Sequence, residues 1–208
     1  MASIKLKHSG GNGVIIAAPS SNPASDRTIT LPSTADGTML TTTNPKSGNI
    51  LQVVQAVKTD TFSTSSSSYV DVTGVSQAIT PSSTSSKILI KISIGFVSGR
   101  HTGNQAVYPQ FQIVRGSTAL ALGDASGNRG RCTFSVLTNL HQGYMGTSAA
   151  FEFLDSPSTT SATTYKIQAR NGYSTSDQRF YINRMDNDDN ELYTARTPTT
   201  LILMEVAG

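Results

Sequence analysis

KILIKISIGF, residues 87–96, places Ile88, Ile90, Ile92, Ile94 and Phe96 at every second position. On a helix, at about 100° per residue, these side chains scatter around the axis; on a strand they form one face. Isoleucine is β-branched and stiff at χ1, which suits a pleated surface. The opposite face reads Lys87, Leu89, Lys91, Ser93, Gly95 and is mostly polar. The stretch is therefore a strand of an antiparallel sheet with one wet side. Its apolar side needs a second sheet to press against.

The rest of the chain supplies that sheet. ILQVVQAVKT (50–59), SYVDV (68–72), YPQFQIV (108–114), RCTFSVLTNL (131–140), AAFEFLD (149–155), TTYKIQA (163–169), RFYIN (179–183) and TTLILMEV (199–206) all carry strand patterns. TSSSS, TPSSTSS, VSGRHTGN, GDASGNRG, DSPSTTS, NGYSTSD and DNDDN separate them as turns. No ten-residue window has convincing helical periodicity. Many short punctuated strands predict a sandwich or jelly roll. Each large apolar side chain buried stabilises by about 1.5–3 kcal/mol, so about twenty inward positions offset much of the ordering entropy.

Residues 1–48 differ. SIKLK (3–7), GVIIAA (13–18), RTITL (27–31) and GTMLT (37–41) are short candidate strands, and Asp36-Gly37 suits a tight turn. Pro19, Pro23, Pro32 and Pro45 preclude long regular pairing. So small a unit buries too little surface to fold alone. It packs on its own sandwich, on copies of itself, or on another protein. The residues available for this packing are Ile4, Leu6, Val14, Ile15, Ile16, Ile29, Leu31, Met39 and Leu40. KSGN (46–49) reads as a short linker, which divides the chain into an arm, 1–48, and a sandwich, 49–208.

Composition narrows the function. The 208 residues are only 14% charged, with a net charge of +3 and scattered lysines and arginines, whereas nucleic-acid binders cluster them on one face. Cys132 is the one cysteine, so no intrachain disulfide forms. MASIKLKHSGG lacks the apolar region of a signal peptide, and no apolar run approaches the roughly 20 residues of a membrane helix. Synthesis in a reducing cytosol, with no nucleic acid and no membrane insertion, is the expectation.

Residues 4–45, above all NPASDRTITLPSTADGTMLTT (22–42), resemble an N-terminal segment of tail-fibre-like virion proteins of marine and cyanobacterial phages. ILQVVQAVKTDTFSTSSSSYVDVTGVSQAITPSSTSSKILIKISI (50–94) resembles the start of the globular domain that follows in such proteins, and TTLILMEVAG its last strand. Residues 98–190 resemble it much less. The resemblance implies a homotrimeric virion appendage, with an N-terminal arm that intertwines or docks and a jelly-roll head similar to complement and tumour-necrosis-factor heads. The chain is short for a fibre and has no shaft repeat, which leaves a spike, a capsid decoration or a tail adaptor open.

No catalytic or metal constellation stands out. His8, His101 and His141 share no metal-like spacing. Cys132 has no neighbouring histidine or redox partner and reads as a small buried residue. GGNGVI (10–15) lacks the third glycine of a dinucleotide loop and opens no helix. DNDDNE (186–191) is rich in oxygen ligands, but Glu191 stands where an EF-hand loop needs glycine and Thr197 where it needs glutamate. Glu152 and Asp155, three apart on a strand, point to opposite faces and make no glycosidase pair. The expectation is no enzyme, no cofactor and no metal. Recognition residues concentrate on sandwich loops. Arg100 and His101, Arg129 and Arg131, and Tyr173 and Arg179 supply forked donors and flat rings suited to sugars or acidic surfaces. The sequence thus predicts an all-β virion structural protein, most simply a tail fibre or spike component. Its partners are copies of itself, other virion proteins and a host-surface glycan; the alternative is a decoration or adaptor protein with no host ligand.

Overall fold

A computed structural model describes residues 3–7, 9–17, 20, 45–100, 107–137, 143–173 and 178–208. Among these there is no helix, and so none that is long and apolar enough to cross a membrane. The strands are β1 (Ser3–Lys7), β2 (Gly13–Ala17), β3 (Ile50–Lys58), β4 (Phe62–Thr64), β5 (Val70–Ile79), β6 (Lys87–Arg100), β7 (Pro109–Arg115), β8 (Thr118–Leu120), β9 (Phe134–Ser135), β10 (Thr147–Asp155), β11 (Thr163–Asn171), β12 (Arg179–Ile182) and β13 (Thr199–Val206). The chain divides into two compact units, residues 1–39 and 40–208, where the sequence suggested a boundary near 48.

In the first unit β1 and β2 form an antiparallel hairpin, with Ile4 opposite Ile16 and Leu6 opposite Val14. Leu6, Ile15 and Ile16 are exposed. The expected strands at 27–31 and 37–41, with Ile29, Leu31, Met39 and Leu40, lie outside the described residues.

The second unit is an antiparallel sandwich of jelly-roll type. One sheet runs β10-β6-β13-β3, with β12 and β4 continuing beside the far end of β6. The other runs β5-β11-β7-β8, with β9 also on β7. Successive long strands alternate between the sheets, so neighbours in a sheet are distant in sequence. Ile88, Ile90, Ile92 and Ile94 of β6 are buried against Val72, Phe111, Ile113, Tyr165 and Ile167 of the facing sheet. An aromatic column crosses the core: Phe111 stacks on Phe134 at 4.8 Å, Phe134 on Phe151 at 5.8 Å, and Phe180 meets Phe111 edge-on.

The row in β6 slips once. Phe96 is only half-buried, and Val97 takes the core position instead. Ile94 pairs with Ala149 and Val97 with Thr147, so β6 carries one residue more than β10 across this bulge. Gly95 sits in it and donates its N–H to the Pro198 carbonyl at 3.1 Å. A Cβ there would lie 2.7 Å from Thr197 Cβ, so no other residue lets the chain entering β13 come this close.

Polar side chains pin the ends of the sandwich. Asn183, at φ 66°, donates its amide to the carbonyls of Lys58 and Asp60 and accepts the Thr199 hydroxyl at 2.7 Å. Glu205 on β13 accepts the Ser82 N–H, the Ser82 hydroxyl and the Gln52 amide, each at 2.6 Å, and so ties the 80–86 connection to the sheet.

Candidate functional site

The two broad outer faces of the sandwich carry opposite chemistry. On the β10-β6-β13-β3 sheet, outward positions alternate with the buried ones. Leu154 faces Leu89, Leu89 faces Met204, and Met204 faces Val53. These four residues make an aliphatic band across all four strands. Ile202, Val206, Ile50 and Val57 flank it on the same face. Val53 is 55% exposed and Leu154 44%, while Leu89 and Met204 are half-buried by their neighbours. A one-side-wet sheet carries polar residues here; β13, apolar on both faces, has the composition of a strand covered on both sides. Lys91 and Glu152 pair beside the band at 2.8 Å.

The outer face of the other sheet is a polar grid. Outward positions are Lys166, Gln168 and Arg170 on β11, with Gln112 and Gln110 opposite on β7 and Asp71 opposite on β5. Asp71 accepts Lys166 Nζ at 2.8 Å and Gln168 Nε2 at 2.7 Å, and Gln112 donates to Gln168 at 2.7 Å. The Lys166 hydrogen bond, then that from Gln168, holds the Asp71 carboxyl below the ordinary range. At one end of the grid the Arg170 guanidinium lies 4.6 Å above the Tyr69 ring and donates Nε to Gln110 Oε1 at 2.9 Å. Tyr69 donates its hydroxyl to the Arg131 carbonyl at 2.9 Å. Burial raises the Tyr69 phenol, and the Arg170 charge opposes that rise.

Beside this end, one buried amide positions two tyrosines. Asn171 Oδ1 accepts the backbone N–H of both Tyr108 and Tyr173, each at 3.3 Å. Gly172 between them donates its N–H to the Tyr108 carbonyl at 2.8 Å. Tyr108 is 43% exposed and Tyr173 52%.

The loop residues expected from sequence divide accordingly. Arg131 and Tyr173 belong to this grid end. Arg129 turns back onto Ser126, whose side-chain oxygen accepts its Nη1 at 3.0 Å. Arg179 lies on β12 of the other sheet, opposite Arg100 in register, and is exposed there. His101, His8 and His141 lie outside the described residues. Tyr69, Tyr108, Gln110 and Arg170 were not singled out from sequence because they sit on strands or directly before them rather than at loop tips; the outward period of Tyr108, Gln110 and Gln112 was the available signal.

In the acidic stretch 186–191, Asp188, Asp189, Asn190 and Glu191 line a cavity of about 230 Å³ with Thr194 and Arg196. Two of its carboxylates are engaged: Arg196 and Arg184 both pair with Asp188, and Tyr144 donates to Asp189 at 2.7 Å. That bond to Asp189 raises the Tyr144 phenol above its ordinary value. Among the described residues no group of three or more His, Cys, Asp or Glu side chains is placed to hold a metal ion. Cys132 is half-buried near Tyr69 and Arg170, and burial pushes its thiol up, away from a reactive thiolate.

No protein-family model and no curated protein matches the chain. Among solved structures it is similar to infectious bursal disease virus, Gt strain, at 16% identity and a TM-score of 0.31. It is also similar to the VP2 subviral particle of infectious bursal disease virus, at 14% identity and a TM-score of 0.30. Each alignment covers 95% of this chain, which spans 48% of the length of those chains.

Proposed function

We propose that the chain is a structural component of a virion that assembles with copies of itself through the aliphatic outer face of the β10-β6-β13-β3 sheet. The single observation that carries the assembly is the Leu154–Leu89–Met204–Val53 band. A face four strands wide and eight residues long projects on the order of 500 Å², and side-chain relief and the charged rim raise that toward the roughly 800 Å² per partner of a standard interface. A second copy is the natural occupant because a stripe is self-complementary: a two-fold axis in the plane of the face, along or across the band, lays it on itself. A three-fold arrangement, which the tail-fibre resemblance favours, brings the same band to a shared axis. The virion setting rests on that resemblance in residues 22–42 and 50–94. A tail fibre or spike is the first reading, and a decoration or adaptor protein the second. The exposed Leu6, Ile15 and Ile16 of the hairpin give the arm its part in joining subunits.

Light scattering of the full chain tests the assembly. The wild type should run at two or three times its 22.0 kDa monomer mass, and Leu89→Glu with Met204→Glu should return it to the monomer with a cooperative melt. A monomeric wild type, or a folded double variant of unchanged mass, would sink the reading. Deleting residues 1–48 should lower the assembly state; unchanged mass would confine the arm to its own subunit. Immunogold labelling of particles distinguishes tail from capsid, and labelling of neither removes the virion setting.

A further inference from the structure

We infer that the Arg170 end of the polar grid is a binding site for a carboxylated sugar. The carboxylate would sit on the Arg170 fork, and the sugar ring against Tyr108 and Tyr173. This goes beyond self-assembly and stands whether or not copies associate.

Three neighbours fix the guanidinium before any ligand arrives. Tyr69 lies under it, Gln110 takes its Nε, and the bare Gly130 leaves room for Nη2, where an added Cβ would lie 2.5 Å away. Arg170 forms no ion pair among the described residues. Arg131 likewise has no carboxylate partner among the described residues; its Nε goes to the Gly123 carbonyl at 2.7 Å. The Arg170 guanidinium thus lies over the Tyr69 ring without a counter-charge among the described residues, and the Arg131 backbone carbonyl takes the Tyr69 hydroxyl. Elsewhere on the same face Lys166 is neutralised by Asp71 at 2.8 Å, so the excess of positive charge is confined to this end. A stacked, oriented guanidinium donates two parallel bonds to a planar carboxylate at little entropic cost.

The tyrosines supply the second half of the site. Their backbones are held by one buried amide, so two exposed rings are presented at low conformational cost. Rings of this kind cover the apolar C–H face of a pyranose, and Gln110 adds an amide donor beside them. An oxyanion fork next to a pair of presented rings matches a uronic or sialic acid better than a neutral sugar or a bare anion.

Titration calorimetry of the full chain with tetragalacturonate, neutral tetragalactose and a sulfated galactose tetrasaccharide tests this. Tetragalacturonate should bind with a Kd of about 1 mM or tighter, as expected for a single exposed site, and neutral tetragalactose at least roughly tenfold more weakly. Arg170→Gln should weaken tetragalacturonate binding roughly tenfold or more, and Arg170→Lys nearly as much because a point charge lacks the fork. Tyr173→Ala should weaken it several-fold, and Arg129→Gln should leave it unchanged. Thermal melts and light scattering of each variant should match the wild type, which separates this result from any failure of assembly. No heat with tetragalacturonate, equal binding of tetragalactose, tighter binding of the sulfated sugar, or wild-type affinity in a folded Arg170→Gln protein would overturn the proposal.

Discussion

The Tyr165 hydroxyl donates to Asp155 Oδ2 at 2.7 Å, from β11 in one sheet to β10 in the other. Arg115 completes the contact, with Nη1 2.9 and 2.7 Å from the two carboxylate oxygens. Burial, then the bond to the Asp155 carboxylate, raises the Tyr165 phenol well above its ordinary value. Tyr165→Phe should therefore lower stability by about 1–3 kcal/mol in urea unfolding, because the buried Asp155 side chain loses a donor. The neutral phenol belongs to the folded state, so this contribution is full below pH 10 and fades as pH rises above it. Absorbance titration near 295 nm should show one tyrosine ionising only as the protein unfolds.

Glu205 should govern the acid limb. Burial alone pushes its carboxyl up, but the Ser82 and Gln52 hydrogen bonds outweigh burial and hold it below the ordinary glutamate value. Its contribution is present above the unfolded pKa of about 4.3 and is lost as pH falls through the lower folded value. Glu205→Gln should reduce stability at pH 7 by about 1.5–3 kcal/mol and flatten the decline below pH 5, measured as urea midpoints across pH.

Asn183 allows a ranking of three substitutions. Glycine removes the side-chain bonds but suits φ 66°; alanine removes them and keeps the left-handed strain; aspartate turns an oxygen toward the Lys58 and Asp60 carbonyls. The order of destabilisation should be Asp greater than Ala greater than Gly, with alanine near 3 kcal/mol or more for three lost bonds. Equal values for glycine and alanine would show that the backbone is unstrained.

Gly95→Ala should destabilise by about 1–3 kcal/mol, because its methyl meets Thr197 and the Pro198 carbonyl at 2.9 Å. The Thr197→Ala background should recover part of that loss, since it removes the Thr197 hydroxyl, 2.8 Å from the added methyl. A double-mutant cycle with no coupling would place the strain elsewhere.

Much of the sandwich was legible because one face of each strand had to be dry. The isoleucines of β6 and the run TTLILMEV of β13 gave strand and face together. Where the reading failed, a distant contact decided. The slip at Phe96 is set by the chain entering β13, which no local period records. Of the strand expected over 131–140, the described residues 131–137 supply Phe134 and Ser135, while Thr133 gives its N–H to the Phe111 carbonyl and its hydroxyl to the Leu120 carbonyl. The short β4 and β8 form only as partners for β12 and β7, without an alternating pattern of their own. The grid at Arg170 stayed hidden because outward Gln, Lys and Arg at every second position look like any hydrated strand face. What distinguishes them is pairing across strands that are far apart in sequence.

The aliphatic band and the Arg170 fork lie on opposite sides of a slab only two sheets thick. Closure around the bands would turn every fork outward, one per subunit, on a common rigid body. Individually feeble grips would then act in parallel on a polymer with repeating acidic units, and letting go would require all of them to release at once. A two-sided sheet pair would thus convert the arithmetic of assembly into persistence of attachment.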